Sequence, residues 1–474
     1  MSVASEQVAK TPAEACFAAT RGLCNECGEL VDAKIVIRDE KVYLVKWCDT
    51  HGRSEALTCS DVDWFRRSLA YVKPKTDPVD VANTTYRGCP TDCGLCAEHQ
   101  QHTCVPIIEI TDRCDLKCPV CIVGEQDNRH QELSVEEFSA TVDHLVGYEG
   151  RLNMLNLSGG EPTIHPNFLE IVDSALRPEI GIVSVSTDGL ALSRDDDLIK
   201  ALRDRDVVIS LQFDGFSEAT YKKLRGRGDL AAIKIRLVQR IIELGAKLSL
   251  TVTLARGVNE DELGPIMDLL FEHDNVLSMM VQPLAHTGRA PGSYAFDPLD
   301  VITIPDAVRL LAAGSKGVLQ SSDFSPLPCS HPSCFALTYL LKTEAGKMIP
   351  LPRILETDDY LDIIKNQALF GTDTDSLLKV RDSLYALWSS DGVLPDREAV
   401  LKTVRQILLD LNSLDDQNHR QTLDLGAKHV KSIFIHHFMD RYTFDLSRVV
   451  KCCNHYPGPS GQLMPACVRN NLHR

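Results

Sequence analysis

The chain has 474 residues, a 44% hydrophobic composition and a formal net charge of -16, length enough for one large α/β body with smaller appendages and an ordinary core. The negative balance excludes nucleic acid as a partner, because phosphate-backbone binding needs basic patches. Its 17 cysteines fall in short clusters between cysteine-poor stretches, the usage of metal binding in a reducing compartment; with no charged-then-apolar leader and no run near the roughly 18 apolar residues that span a bilayer, a cytoplasmic protein without a transmembrane segment is predicted, which leaves peripheral membrane contact open.

After a polar start, Cys24-Asn-Glu-Cys27 and Cys48-Asp-Thr-His51 bracket KIVIRDEKVYLVKW, two alternating strand-type runs with Asp39-Glu40 at the turn. A hairpin brings these knuckles together. Cys24, Cys27, Cys48 and His51 then suit a tetrahedral mononuclear ion, zinc or a rubredoxin-like iron, with Cys59 able to replace His51. Next, Cys89, Cys93 and Cys96 in RGCPTDCGLC and Cys114, Cys118 and Cys121 in TDRCDLKCPVC repeat one Cys-x3-Cys-x2-Cys spacing. Three thiolates in a tight loop hold three corners of a four-iron cluster and leave the fourth iron free. A structural zinc site instead closes with four ligands in Cys-x2-Cys pairs and fits this spacing poorly. The first set can gain Cys104 as a fourth ligand, which makes an auxiliary cluster without an open iron.

From about residue 105 strand-like and helix-like segments alternate. VPIIEIT, LNMLNLS, IVSVST, VVISLQF, LSLTVTL and LSMMVQP read as parallel strands with covered faces, and Ser134-Val-Glu-Glu137 as the capping box of the first crossover helix. The fold class is α/β, a partial (β/α)6 TIM-like barrel. The second cysteine loop follows the first strand at its C-terminal end, where such barrels carry their chemistry. Ser158-Gly159-Gly160-Glu161-Pro162 follows the second strand; its glycines let backbone approach a ligand and its carboxylate can accept from an ammonium group. Ser186 and Asp188 end the third strand and Gln212 the fourth, polar groups at one mouth, with loop caps as the alternative reading.

The stretch from about 354 to 450 carries helical patterns such as EAVLKTVRQILLDLNSL, and SIFIHHFMDRY also reads as helical, with His436 and His437 as packed or surface histidines. Cys329 and Cys334 in PCSHPSC, with Cys453 and Cys467 near the C-terminus, form a further cluster set in which Cys452 is the alternative to Cys453. The division expected is a mononuclear metal module at 1–75, an auxiliary-cluster segment at 76–104, the barrel at 105–295, and a helical region with a second auxiliary cluster at 296–474.

The cysteine loop after strand one and the Gly-Gly-Glu-Pro turn after strand two resemble the radical S-adenosylmethionine (SAM) enzymes over roughly residues 105 to 290. The resemblance implies that Cys114, Cys118 and Cys121 bind a [4Fe-4S] cluster whose open iron chelates SAM. It assigns Gly159, Gly160 and Glu161 to the methionine moiety, Ser186, Asp188 and Gln212 to ribose and carboxylate contacts, and Ser158 to cofactor binding beside them. It further implies cleavage of SAM to methionine and a 5'-deoxyadenosyl radical, with electrons from a donor such as ferredoxin or flavodoxin. Over nearly the full length the layout looks like the subgroup that holds the archaeal tetraether lipid synthase and the pterin dimethyltransferase of methanopterin biosynthesis. That likeness implies two auxiliary [4Fe-4S] clusters and carbon-carbon bond formation at an unactivated carbon. Lipid-tail coupling is the leading expectation, methylation of a small pterin the alternative, and an electron carrier without substrate the third. A long apolar tunnel speaks for lipid and a compact polar pocket for pterin.

Overall fold

The computed structural model describes residues 15–74, 77–123, 132–365, 382, 383, 385, 386, 396–412, 426, 428–458 and 461–473. Ala15–Leu23 (β1), Leu30–Arg38 (β2), Lys41–Cys48 (β3) and Gly52–Cys59 (β4) form an antiparallel sheet in chain order, followed by helix α1 (Val62–Ala70). The hairpin read from the sequence is its central pair. Asp39 and Glu40 both adopt positive φ, 50° and 56°, the pattern of the two-residue turn whose twist matches that of paired strands. Sequence reading missed the outer strands β1 and β4. Lys46 fastens this sheet to the rest of the chain: its buried ammonium donates to Leu23 O (2.8 Å), Asn25 Oδ1 (2.6 Å), Arg441 O (2.9 Å) and Tyr442 O (2.9 Å).

The expected parallel strands are all present: Val105–Thr111 (β5), Leu152–Gly159 (β6), Ile180–Thr187 (β7), Val208–Gln212 (β8), Leu248–Leu254 (β9) and Val276–Pro283 (β10). They lie side by side in chain order. The crossovers are α2 (Val135–Glu149), α3 (Phe168–Ala175), α4 (Asp196–Asp204), α5 (Glu218–Arg225), α6 (Leu230–Glu243) and α7 (Leu263–Glu272). Helix α2 starts with the predicted capping box, Ser134 Oγ accepting from Glu137 N at 3.1 Å and Glu137 Oε2 accepting from Ser134 N at 2.8 Å.

Five more strands extend this sheet: Phe335–Lys342 (β11), Met348–Pro350 (β12), Val430–His436 (β13), Asn454–Pro457 (β14) and Leu463–Pro465 (β15). Strand β13 joins β10 in parallel and β11 pairs with β13 antiparallel, while β14 adds to the far side of β5. The helical reading of SIFIHHFMDRY is thereby corrected. Its first residues belong to β13, where VKSIFIH has three β-branched residues, Val430, Ile433 and Ile435, and an open edge on β10 to pair with. EAVLKTVRQILLDLNSL does supply the helix Arg397–Asn412; its end, most of 366–395 and most of 413–427 lie outside the described residues.

Both faces of the parallel sheet are covered, but with different chemistry. Leu248, Leu250, Val252 and Leu254 of β9 are fully buried in one core with Leu237, Ile241 and Leu263 of the crossover helices. The alternate residues Ser249 and Thr251 face the concave side. Period-2 alternation therefore separates an apolar layer under the helices from a concave face that carries serines and threonines among apolar residues.

Candidate active site and metal centres

Strand β5 ends at Thr111 and runs into the loop of Cys114, Cys118 and Cys121 at the C-terminal edge of the parallel strands. The neighbouring glycine turn fixes where that loop begins, with Gly160 N donating to Thr111 O (2.8 Å) and Glu161 N to Arg113 O (2.7 Å). A β-carbon on Gly159, at φ 143°, would stand 2.2 Å from Thr111 O, and one on Gly160 2.2 Å from Arg113 O. These glycines thus permit backbone to approach backbone, a need the sequence did not reveal.

Glu161 has a structural task as well. Its buried carboxylate accepts from Thr163 N (3.1 Å), Thr163 Oγ1, Thr187 Oγ1 (2.7 Å) and Asp188 N (2.7 Å), which occupies about the four lone-pair sites a carboxylate offers. It clamps the ends of β6 and β7, with three of these donors on Oε1 and one on Oε2. At Asp188, Oδ1 accepts from Leu190 N (2.8 Å), whereas Oδ2 is buried with no donor from the chain. Donor atoms of Cys114, Asp115 and Asp188 lie within 4.8 Å of one another. Burial, reinforced by the Glu161 carboxylate, pushes Asp188 up to about 8.

Gln212 and Ser186 make hydrogen bonds within the protein. Gln212 Nε2 donates to Asp214 Oδ2 (2.5 Å) and its Oε1 accepts from Lys234 Nζ (2.6 Å). Ser186 Oγ accepts from Asn156 Nδ2 (3.0 Å) on the concave face, and Ser158 sits on β6 opposite Glu109. Sequence reading missed Arg225, whose guanidinium grips the fully buried Asp214 carboxylate at 2.6 and 2.9 Å. Arg225 also stands beside Cys118, where it opposes the burial that pushes this thiol up. One signal was legible: Arg225 lies four residues after Tyr221, on the stripe of α5 that Thr220, Tyr221 and Leu224 bury.

At the N-terminal sheet, Cys24, Cys27, Cys48 and His51 gather as expected. Their separations are 3.9 Å for Cys27 Sγ to Cys48 Sγ, and 3.6 and 3.5 Å from His51 Nδ1 to Cys24 and Cys48. A tetrahedron with bonds of about 2.3 Å to sulfur and about 2.1 Å to nitrogen has edges of about 3.8 and 3.6 Å. This donor set fits one ion. Cys59 is not part of it; buried and pushed up to about 12, it donates to Asp61 O at 3.2 Å. Cys27→Ser is expected to cost the protein its single knuckle-bound ion, read by metal analysis, and to lower the melting temperature of the N-terminal sheet.

The remaining cysteines regroup. Cys89, Cys93 and Cys96 line one small pocket with His99, and Cys104 is not with them. Strand β14 pairs with the first residues of β5, Asn454 opposite Val105, so the residue before each strand lies beside the other. Cys104 N accordingly donates to Cys453 O (2.9 Å), and the Cys104 thiol is within hydrogen-bonding reach of Cys329 and Cys453. The expected foursome Cys329, Cys334, Cys453 and Cys467 therefore divides. Cys334 and Cys467 share a pocket with Cys452, where Arg448 Nε donates to Cys334 Sγ (3.4 Å) and Met439 N to Cys467 Sγ (3.3 Å). Adjacent Cys452 and Cys453 serve different sets.

A cavity of about 260 Å³ fills the concave side of the large sheet. Along one wall runs a band of serines in register on adjacent strands: Ser186 opposite Ser210, Ser210 opposite Ser249, Ser249 opposite Ser278, and Ser278 opposite Ser432. Phe335, Leu337 and Tyr339 of β11 and Phe434 of β13 make an apolar wall, and Cys104 and Cys453 reach its rim.

Residues 108–270 match the Radical SAM superfamily, and residues 16–60 match a family described as the HMPTM N-terminal zinc ribbon domain. The chain carries a radical SAM domain. This radical SAM protein is an enzyme, and its superfamily works with a [4Fe-4S] cluster and SAM. It is 29% identical over 481 aligned residues, 96% of its own length and 94% of the relative's, to the 7,8-dihydro-6-hydroxymethylpterin dimethyltransferase of Methanocaldococcus jannaschii. Over 39% of its length it is 29% identical to the GTP 3',8-cyclase of Chlorobaculum tepidum, covering 57% of that enzyme. The solved structure of Streptococcus suis SuiB bound to precursor peptide SuiA is 16% identical, with 46% of this chain and 47% of that one covered and a TM-score of 0.39. Among the described residues no helix is long and apolar enough to cross a membrane.

Proposed function

We propose that this radical SAM enzyme methylates a carbon of a pterin-type substrate, a flat bicyclic nitrogen heterocycle, bound in the concave cavity. The observation that carries the reading is the cavity. At about 260 Å³ it lies just below the roughly 300 to 1,000 Å³ of common ligand pockets, and its serine band offers donors and acceptors suited to ring nitrogens and a ring carbonyl. The aromatic side chains opposite suit a flat ring face. Likeness to a pterin dimethyltransferase along nearly the whole chain supports the same reading. Lipid-tail coupling, the leading expectation from sequence, calls for a long apolar tunnel; the cavity shares its apolar walls, but its volume is that of a compact pocket.

Three thiols in one loop beside the donorless Asp188 Oδ2 suit a [4Fe-4S] cluster on Cys114, Cys118 and Cys121 with SAM next to it. When bound, that pair supplies one-electron chemistry able to take a hydrogen atom from carbon. The chain's own residues have other tasks. Asp188 accepts from the ligand's ammonium or hydroxyl groups, Arg225 places positive charge next to Cys118, and the Gly159-Gly160 turn holds the loop in register with β5. Ser249 and Ser278, joined by a 2.7 Å hydrogen bond, orient the heterocycle's polar edge, while Phe335 and Phe434 keep water from its face.

Anaerobic turnover of the reconstituted, reduced enzyme with SAM tests the reading. Deoxyadenosine formation is expected to depend on a reduced pterin and not on added phospholipid; lipid-dependent turnover with joined chains would overturn it. Ser249→Leu, which fills the cavity from its polar wall, is expected to abolish stimulation by the pterin while SAM binding, measured by equilibrium dialysis, stays within about twofold, since ΔΔG values of well-separated sites are nearly independent.

A further inference from the structure

The cysteines at the rim of the cavity sit where the two ends of the large sheet meet: Cys104 precedes β5, Cys453 precedes β14 and Cys329 lies just before β11. Thiolate-bound iron-sulfur clusters are commonly held by four protein ligands, and these are three thiols. Cys334, the cysteine nearest to Cys329 in sequence, lines the separate pocket with Cys452 and Cys467.

We propose that His102 is the fourth ligand of an auxiliary iron-sulfur cluster held by Cys104, Cys329 and Cys453, and that Glu149 is the carboxylate that orients it. The inference rests on the radical SAM assignment and its auxiliary clusters, and not on the identity of the substrate. His102 Nε2 lies 3.6 Å from Cys104 Sγ, so both donor atoms face the same space. The other ring nitrogen, Nδ1, lies 3.2 Å from Glu149 Oε2. An acceptor there keeps the proton on Nδ1 and leaves the Nε2 lone pair on the thiol side, which is the tautomer a metal ligand needs. Glu149 is itself held in place: its side chain is only 2% exposed, and Oε1 accepts from Thr103 N at 2.8 Å. A carboxylate, a histidine and a thiol cluster in line reproduce the outer-shell arrangement that sets ring orientation and basicity at metal sites. Gln101 Nε2 donates to Cys104 Sγ at 3.4 Å, a further contact of the kind that tunes cluster sulfur. Replacement of thiolate by imidazole raises a cluster's potential, so this centre is set apart from any all-cysteine centre in the same chain.

Pulsed EPR of the reconstituted, reduced full-length protein, prepared with natural-abundance and with 15N-labelled histidine, tests this. One strongly coupled histidine nitrogen is expected on a reduced cluster. It should disappear in His102→Leu, persist in His51→Ser, and weaken or shift in Glu149→Gln. His102→Cys is expected to restore full iron content without the nitrogen coupling and with a lower midpoint potential. A wild-type spectrum free of histidine nitrogen, or a coupling unchanged in His102→Leu, would overturn the proposal and leave His102 as a counter-charge to Cys104. Loss of pterin dependence in turnover with the coupling intact would sink the substrate reading alone.

Discussion

Arg225→Met is expected to destabilise the protein by about 3–5 kcal/mol, the cost of stranding a buried charge whose partner is removed. Asp214 is fully buried, and its two bonds to Arg225 are the charge-balancing ones. Its other contacts, from Thr253 N at 2.9 Å and from Gln212 Nε2, are neutral donors. Asp214→Asn combined with Arg225→Met keeps an oxygen for Thr253 N and removes the charge. The double variant should therefore recover much of the lost stability, as buried pairs replaced together often do. Thermal melts of the anaerobic protein check this, and equal melting temperatures for single and double variants would show that Asp214 is not stranded. Arg225→Met should also reduce iron loading on the adjacent loop, because the cation beside Cys118 is lost.

Gly160→Ala should have the larger effect on chemistry. Its β-carbon would meet Arg113 O at 2.2 Å and Asp112 O at 2.7 Å, both backbone atoms that cannot swing away. The turn and the start of the cysteine loop must separate, which breaks the bonds from Gly160 N to Thr111 O and from Glu161 N to Arg113 O. Displacement of about 1 Å at a reacting centre can cost about 100-fold in rate, so SAM cleavage should fall by at least about that factor. Deoxyadenosine formation per cluster is the measurement. Gly147→Ala is the control: it lies within α2 with open space around its would-be β-carbon, and it should stabilise by about 0.5–1 kcal/mol with unchanged turnover.

Much of the architecture was legible because its signals are local. Strand-type runs from VPIIEIT to LSMMVQP are marked by their own apolar, β-branched composition, the Ser134 capping box is a four-residue pattern, and the Asp39-Glu40 turn is set by its own hairpin. The knuckle set was equally legible, since a hairpin returns its ends to each other. SIFIHHF was misread because a short apolar run suits helix and strand alike, and only the free edge of β10 decides.

The sequence by itself determined which chemistry is present: the cysteine triads, the glycine turn and the strand order that puts both at one edge of a parallel sheet. Spacing within a loop constrains thiols whatever surrounds them. Tertiary structure alone decided how distant groups combine. Cys104 joins Cys453 because β14 pairs with β5, Cys452 and Cys453 part because neighbouring side chains diverge, and Glu161 bridges β6 and β7 because they end side by side. The serine band, too, exists only once five strands align in register. Each of these depends on contacts between residues far apart in the chain, which local pattern does not encode.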